Sequence, residues 1–294
     1  LAQIWSELLR VERVGRNDNF FELGGHSLLA VQLISRLHNA FHVEVPLRAV
    51  FESPTLSQLA ERIVQADASQ LSAIAVVERE TFMPLSLAQQ RLWVLTQIDG
   101  ASAAYHMGGA LKLEGALDRD ALHRALQRIV DRHEALRTQF VLVDGQPMQA
   151  IMAEARIVPS IHDLRDRVDR EAACRSFSDA FMTTPFDLRH DLPLRVQLIQ
   201  LEDHVHELQV VMHHIVSDGW SIGIMLNELS RLYAADVQGQ ADPLPALPIQ
   251  YVDYSQWQRQ WLADGQLARQ TAFWQHNLAG APTLLELPTD RRRP

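Results

Sequence analysis

The chain has 294 residues, 47% of them hydrophobic and 21% charged, which is ordinary for globular protein and more than one average domain needs. A net charge of −9 argues against nucleic acid, no run of about 18 apolar residues is present to span a membrane, and no secretory leader opens the chain. Cys174 is the single cysteine, so no intrachain disulfide can form, which suits the cytoplasm.

Residues 1–66 predict a small bundle of four helical pieces: 4–9, 27–41, a short turn after Pro46, and 55–64 entered beyond Pro54. In that bundle the stretch Asp18-Asn19-Phe20-Phe21-Glu22-Leu23-Gly24-Gly25-His26-Ser27-Leu28-Leu29-Ala30 sets a serine at a helix start, with apolar positions at 28, 31, 34 and 37. Ser27 is expected to be the N-cap. Residues 67–83 lose periodicity and gain Ala, Ser and Glu, as a linker does. Helix and strand patterns then alternate: helix 86–97, strand 105–113, helix 118–132, strands 138–151, helix 169–182, strands 194–212 and helix 221–235. This order predicts an α/β sandwich with a mixed sheet. Pro243, Pro245 and Pro248 lead into helices near 249–263 and 267–279.

Residues 205–212 alternate and then become continuously apolar, so His213 and His214 are expected at the end of a buried strand. Asp218-Gly219 marks a turn, and Ser221 with Ile222, Ile224, Met225, Leu226 and Leu229 predicts a capped helix. An imidazole titrates near neutrality, so it can take a proton from an attacking group or hold that group by a hydrogen bond. The same pair also suits two packed, hydrogen-bonded core residues. Asp218 either orients an imidazole, organises the turn or pairs with an arginine. No metal site is expected, because no cysteine lies nearby and His204 and His206 add no ligand spacing. Cys174 falls in a predicted helix and is read as packed or exposed rather than as a nucleophile.

The run His213-His214-x-x-x-Asp218-Gly219-Trp220-Ser221 resembles the signature of condensation domains in nonribosomal peptide synthetases. Related acyltransferases of the chloramphenicol acetyltransferase type, and epimerisation domains of the same assembly lines, share a similar run. Three further segments resemble the family's motifs in the family's order: Ser86-Leu87-Ala88-Gln89-Gln90-Arg91-Leu92-Trp93, Arg132-His133-Glu134-Ala135-Leu136-Arg137-Thr138-Gln139-Phe140, and Tyr251-Val252-Asp253-Tyr254-Ser255-Gln256-Trp257. The tail Leu287-Pro288-Thr289-Asp290-Arg291-Arg292-Arg293-Pro294 resembles the next motif, with Arg292 where proline is usual. The stretch around Ser27 resembles the attachment site of peptidyl carrier domains.

These resemblances imply a multidomain chain: a small all-α four-helix carrier bundle at 1–66, a linker at 67–83, and at 84–294 an α/β chloramphenicol-acetyltransferase-like lobe. That lobe would be the N-terminal half of a condensation domain with the start of the crossover to a second lobe, in a chain cut from a longer protein that begins inside the first carrier helix. A phosphopantetheinyl transferase would attach 4′-phosphopantetheine to Ser27. A phosphodiester there would meet the unpaired N–H groups and positive dipole end of a helix. The implied reaction is amide formation between an acyl thioester on Ser27 and the amine of a downstream acceptor carrier, after an upstream adenylation domain has loaded the carrier, in antibiotic or siderophore biosynthesis.

The catalytic residues would be His214, facing the amine as base or positioning group, His213 beside it, and Gly219, whose N–H would contribute an oxyanion contact. Asp218 would pair with Arg132 or Arg137. Carriers ahead of epimerisation domains usually read Gly-Gly-Asp-Ser; His26 here, with the opening motif at Ser86, favours an L-configured donor over an epimerisation-type domain. A carrier joined to a non-catalytic docking platform is the other alternative.

Overall fold

The computed structural model describes residues 1–66, 73–98 and 102–282, so the first part of the expected linker, 67–72, and the tail motif at 287–294 lie outside the described residues. The chain divides into two compact units, Leu1–Ala73 and Ile74–Pro294.

The first unit holds α1 (Ala2–Leu9), α2 (Ser27–Phe41), α3 (Arg48–Glu52) and α4 (Leu56–Gln65). Thr55 caps α4 by accepting the Gln58 N–H while the Gln58 side chain accepts the Thr55 N–H, the reciprocal pair expected beyond Pro54. Trp5, Phe20, Leu33, Leu37, Val50 and Leu59 are fully buried, and the Trp5 and Phe20 rings meet edge to face at 5.1 Å. The long α1–α2 connection is tied to α4: the Phe20 N–H donates to the Pro54 carbonyl at 2.8 Å and the Ser57 N–H to that of Arg16 at 2.9 Å.

The core-facing stripe of α2 differs from the predicted one. Ala30, Leu33 and Leu37 are buried, whereas Leu28 and Val31 stand 59% and 51% exposed. Leu28 to Val31 is apolar at every position, so periodicity alone does not choose the face, and contacts with α1 and the Phe20 loop do.

In the second unit a four-stranded sheet is ordered β2 (His106–Glu114), β7 (Val205–His213), β6 (Leu194–Glu202), β5 (Ser160–Asp163). β5 runs parallel to β6 and the other pairs are antiparallel, which makes the sheet mixed. Helices α6 (Arg119–Arg132) and α8 (Gly219–Val237) bury Leu126, Ile129, Leu229 and Leu232 with Leu194, Val196, Leu198, Leu208, Val210 and Met212. The alternate residues of the hairpin face α7 (Arg170–Thr183), where Ile199 packs with Ala173, Cys174 and Phe177. A second, three-stranded sheet is ordered β1 (Met83–Pro84), β4 (Gln146–Ile151), β3 (Thr138–Val143). β1 and β5 had no sequence signal, being two and four residues long. α5 (Leu87–Thr96), capped by Ser86, lies close to its predicted span. α9 (Tyr251–Trp261) and α10 (Leu267–Asn277) are separated by a kink at Asp264 and Gly265, the latter at φ 96°.

The later part of the expected linker is built into this unit. Asp253, with no exposed side-chain surface, accepts the Val77 N–H at 2.9 Å, the Gln250 N–H at 2.7 Å and the Arg79 guanidinium at 2.6 and 3.2 Å. Arg79 also reaches Glu134 at 2.9 Å. Burial pushes the Asp253 carboxyl up, but the Arg79 guanidinium and the two N–H donors outweigh burial and hold it below the usual range. Its contribution to stability is therefore complete above the unfolded-state value of about 4 and is lost as pH falls through the lower folded-state value. Asp253→Ala is expected to destabilise the second unit by about 3 kcal/mol in urea unfolding at neutral pH, because it strips Arg79 of its buried partner and leaves the Val77 and Gln250 N–H groups without their acceptor. The gap between the variant and the native chain should narrow below about pH 4.

Candidate active site and carrier attachment site

β7 is an interior strand, hydrogen-bonded to β2 on one side and β6 on the other. Its end is held from both neighbours: the His213 N–H donates to the Pro193 carbonyl at 3.0 Å, and the His214 N–H to the Tyr105 carbonyl at 2.8 Å. The two histidines that follow from this register have opposite surroundings.

His213 has no exposed surface and packs against the Phe186 and His106 rings. Its Nδ1 accepts the Ile215 N–H at 3.1 Å, which places the ring proton on Nε2. Burial, reinforced by the neighbouring His106 and His214, lowers its pKa to about 4, so the ring is neutral at physiological pH. His213, expected beside His214 at the catalytic position, is fully enclosed and packs the strand end.

His214 is half-buried, and its Nδ1 lies 2.6 Å from the Ser217 carbonyl oxygen. A carbonyl only accepts, so Nδ1 carries the proton and the Nε2 of the neutral ring carries a lone pair. The turn thus prepares one imidazole nitrogen to accept a hydrogen bond or a proton.

Asp218 is the N-cap of α8. Its Oδ1 takes the Ser221 N–H at 2.8 Å and the Ser221 hydroxyl at 2.7 Å, and Ser221 Oγ accepts the Asp218 N–H in return. Ser221, expected to open the helix, is its third residue, since Gly219 and Trp220 continue the helical backbone from the Asp218 cap. Partial burial pushes the Asp218 carboxyl up, but Ser221 and the Trp220 N–H bring it net below its ordinary range.

The expected pairing of Asp218 with Arg132 or Arg137 does not form. Arg132 meets Glu228 at 3.1 Å and Arg137 donates to the Met152 carbonyl, so both guanidinium groups have other partners. Gly219 is the first residue of α8, and its N–H is not among those that Asp218 takes.

Two site residues were not singled out in the sequence. Glu228, buried on α8, joins Arg132 to His133, whose Nε2 lies 2.6 Å away, and a lone acid on an apolar helix face was the available signal. Tyr251, in the fourth motif, bonds Ser86 at 3.0 Å and lines a cavity of about 190 Å³ with His133, Ser217, Ser221 and Ile224, directly behind the turn. Cys174 is partly buried against Ile199, and burial pushes its thiol up, as suits a packing residue. Among the described residues no cluster of metal-ligating side chains occurs, and no helix is long and apolar enough to cross a membrane.

In the first unit Ser27 is exposed and is the first residue of α2, one position inside the expected cap; His26, with extended backbone, occupies the cap and makes no side-chain capping bond. No acid lies in the first turn. The serine hydroxyl therefore sits among unpaired helix N–H groups, a setting that fits a phosphodiester. Gly25 is required for this approach, since a β-carbon there would collide with the Phe20 ring and carbonyl oxygen.

The Condensation domain family matches residues 79–294, and the Phosphopantetheine attachment site family matches residues 1–63. Malpinin synthetase of Mortierella alpina is 46% identical and tyrocidine synthase 3 of Brevibacillus parabrevis 40% identical, each over the whole of this chain. The chain spans only 4% of the length of either relative. Among solved structures, the X-domain in complex with OxyB from teicoplanin biosynthesis superposes with a TM-score of 0.65 at 32% identity, over 78% of this chain and 50% of that one. The first condensation domain of the calcium-dependent antibiotic synthetase, solved with a substrate analogue, superposes at 0.61 and 26% identity, over 69% of this chain and 48% of that one.

Asp218→Ala should lower the stability of the second unit by about 1 kcal/mol in denaturant unfolding, whereas Asp218→Asn, still an N-cap, should cost only a few tenths. Equal losses for the two variants would show that charge pairing, not capping, is the residue's part.

Proposed function

Because the chain belongs to the condensation-domain family and carries a phosphopantetheine attachment site ahead of that domain, we propose that it forms amide bonds in nonribosomal peptide synthesis, with Ser27 bearing the donor. Condensation domains of such synthetases are amide-bond-forming acyltransferases. The observation that carries the reading is the hydrogen bond from His214 Nδ1 to the Ser217 carbonyl, which leaves Nε2 as an acceptor at the end of an immobilised strand.

4′-Phosphopantetheine on Ser27 would supply a thiol that carries the donor acyl group as a thioester. The N-terminal N–H groups of α2 would receive its phosphate, and exposed Leu28 and Val31 would offer apolar surface to the transferase and the other domains that approach Ser27. At the active site, His214 Nε2 accepts a hydrogen bond from the attacking amine and directs its lone pair toward the acyl carbon. As the nitrogen–carbon bond forms, His214 takes the proton the amine sheds and returns it to the departing sulfur. A thioester is already activated, so orientation is the larger contribution and proton transfer the smaller. The Gly219 N–H, at the positive end of α8, contributes to stabilising the developing oxyanion.

Upstream adenylation and a downstream acceptor carrier complete the reaction. His26 ahead of Ser27 supports an L-configured donor.

Incubation with a phosphopantetheinyl transferase and coenzyme A should add one phosphopantetheine, and Ser27→Ala should abolish the addition, read by intact mass. In a complete synthetase module, His214→Ala should cut peptide transfer by roughly 100-fold or more without changing the loading of Ser27. Unchanged transfer would instead support a docking platform, and D-residues accumulating on the carrier would support an epimerisation-type domain.

A further inference from the structure

The buried imidazole beside His214 has a partner that the mechanism does not use. His106 opens β2 and lies opposite His213 in the β2–β7 register. Its Nδ1 is 2.8 Å from the Met182 carbonyl on α7, so that nitrogen donates and the neutral ring presents a lone pair at Nε2. His213 has the complementary tautomer, with Nδ1 accepting and Nε2–H donating. Both Nε2 atoms are buried, and neither meets a hydrogen-bond partner among the described residues. Buried polar nitrogens are rarely left so, because each costs about 1–3 kcal/mol when unsatisfied. One donor and one acceptor are thus carried by two rings that both pack on Phe186. The ring centroids are 6.2 Å apart, and a single water between the two rings would give each nitrogen the partner it lacks.

We propose that His106 is a positioning residue for His214: His106 and His213 are joined by one buried water, which clamps the end of β7 to β2 and α7. The residue before His106 supplies the carbonyl that receives the His214 N–H, so a shift of the His106 backbone moves His214 directly. The inference rests on the proposed role of His214 and adds what holds that residue in place.

Two substitutions test it. His106→Phe keeps a ring against Phe186 and removes both nitrogens, while His106→Gln keeps a donor and an acceptor. In a complete synthetase module, His106→Phe is expected to lower kcat at least about tenfold with the acceptor KM unchanged, and His106→Gln to recover most of that loss. In the unsubstituted 294-residue chain, nitrogen-15 NMR should show a slowly exchanging His213 Nε2–H with a cross-peak to a long-lived water. A wild-type kcat in His106→Phe, or a freely exchanging Nε2–H with no water cross-peak, overturns the proposal; if His106→Phe does not fold, the measurement on the native chain decides. His214→Ala assayed alongside separates the two readings. Wild-type transfer there removes the premise and overturns both, whereas an inactive His214→Ala beside an unaffected His106→Phe overturns this inference alone.

Discussion

The site depends on one constraint: β7 is an interior strand buried on both faces. Val210 and Met212 pack toward α6 and α8, and Val211 packs on the opposite side with Phe186 and Leu188. An interior strand has no free edge and little slack, and a slip of one residue would exchange its two faces. The chain therefore emerges with His213 turned inward and His214 at the boundary. Both histidine N–H groups are bonded to flanking chain, so the turn starts from a fixed point. A nitrogen intended to hold an amine gains from such fixity, since loss of orientation on the order of 1 Å is expensive in rate.

The second motif holds the other side of the turn. Arg132 and His133 both meet Glu228 of α8, Glu134 meets Arg79, and the Gln250 side chain accepts the Glu134 N–H and donates to the Arg132 carbonyl. Asp253, in the first turn of α9, completes the ties to residues 77 and 79. Four stretches far apart in sequence are thereby drawn onto one short segment. Their polar residues serve mainly to fix α8, whose N-terminus carries Asp218 and Gly219, in relation to α6 and α9. Removing a member of such a buried network leaves its partners unsatisfied, which makes the arrangement sensitive to single substitutions.

The carrier unit shows a different economy of contacts. Its helix α2 is apolar on more than one face, burying Ala30, Leu33 and Leu37 while leaving Leu28 and Val31 exposed beside Ser27. Gly25 lets the backbone pass against Phe20, so the serine is delivered at the very start of the helix with its hydroxyl uncommitted. Had Ser27 been the cap, that oxygen would have been engaged with a backbone N–H.

Much of this was legible in the residues. Helices α2, α4, α5, α6, α7 and α8 and the hairpin of β6 and β7 were marked by periodicity and by capping residues, because those signals are local. β1 and β5 were not, since strands so short exist only through their partners. Ser27 and His214 could be named from motifs, but the difference between two adjacent histidines could not, because burial of His213 and the proton on His214 Nδ1 come from Phe186, His106 and the Ser217 carbonyl. The partner of Asp218 differs from the expected arginine for a related reason: an arginine in the preceding motif and a serine three residues on both suit a carboxylate by charge and hydrogen bonding, and in the fold Arg132 is taken by Glu228 while Ser221 meets Asp218. By itself, then, the sequence determined which residue types stand where the chemistry is done and which segments are helix or strand, through local propensity and pattern. The tertiary structure alone decided which histidine is buried, which acid is paired and which face is covered, because desolvation and hydrogen-bond geometry depend on neighbours brought together only by packing.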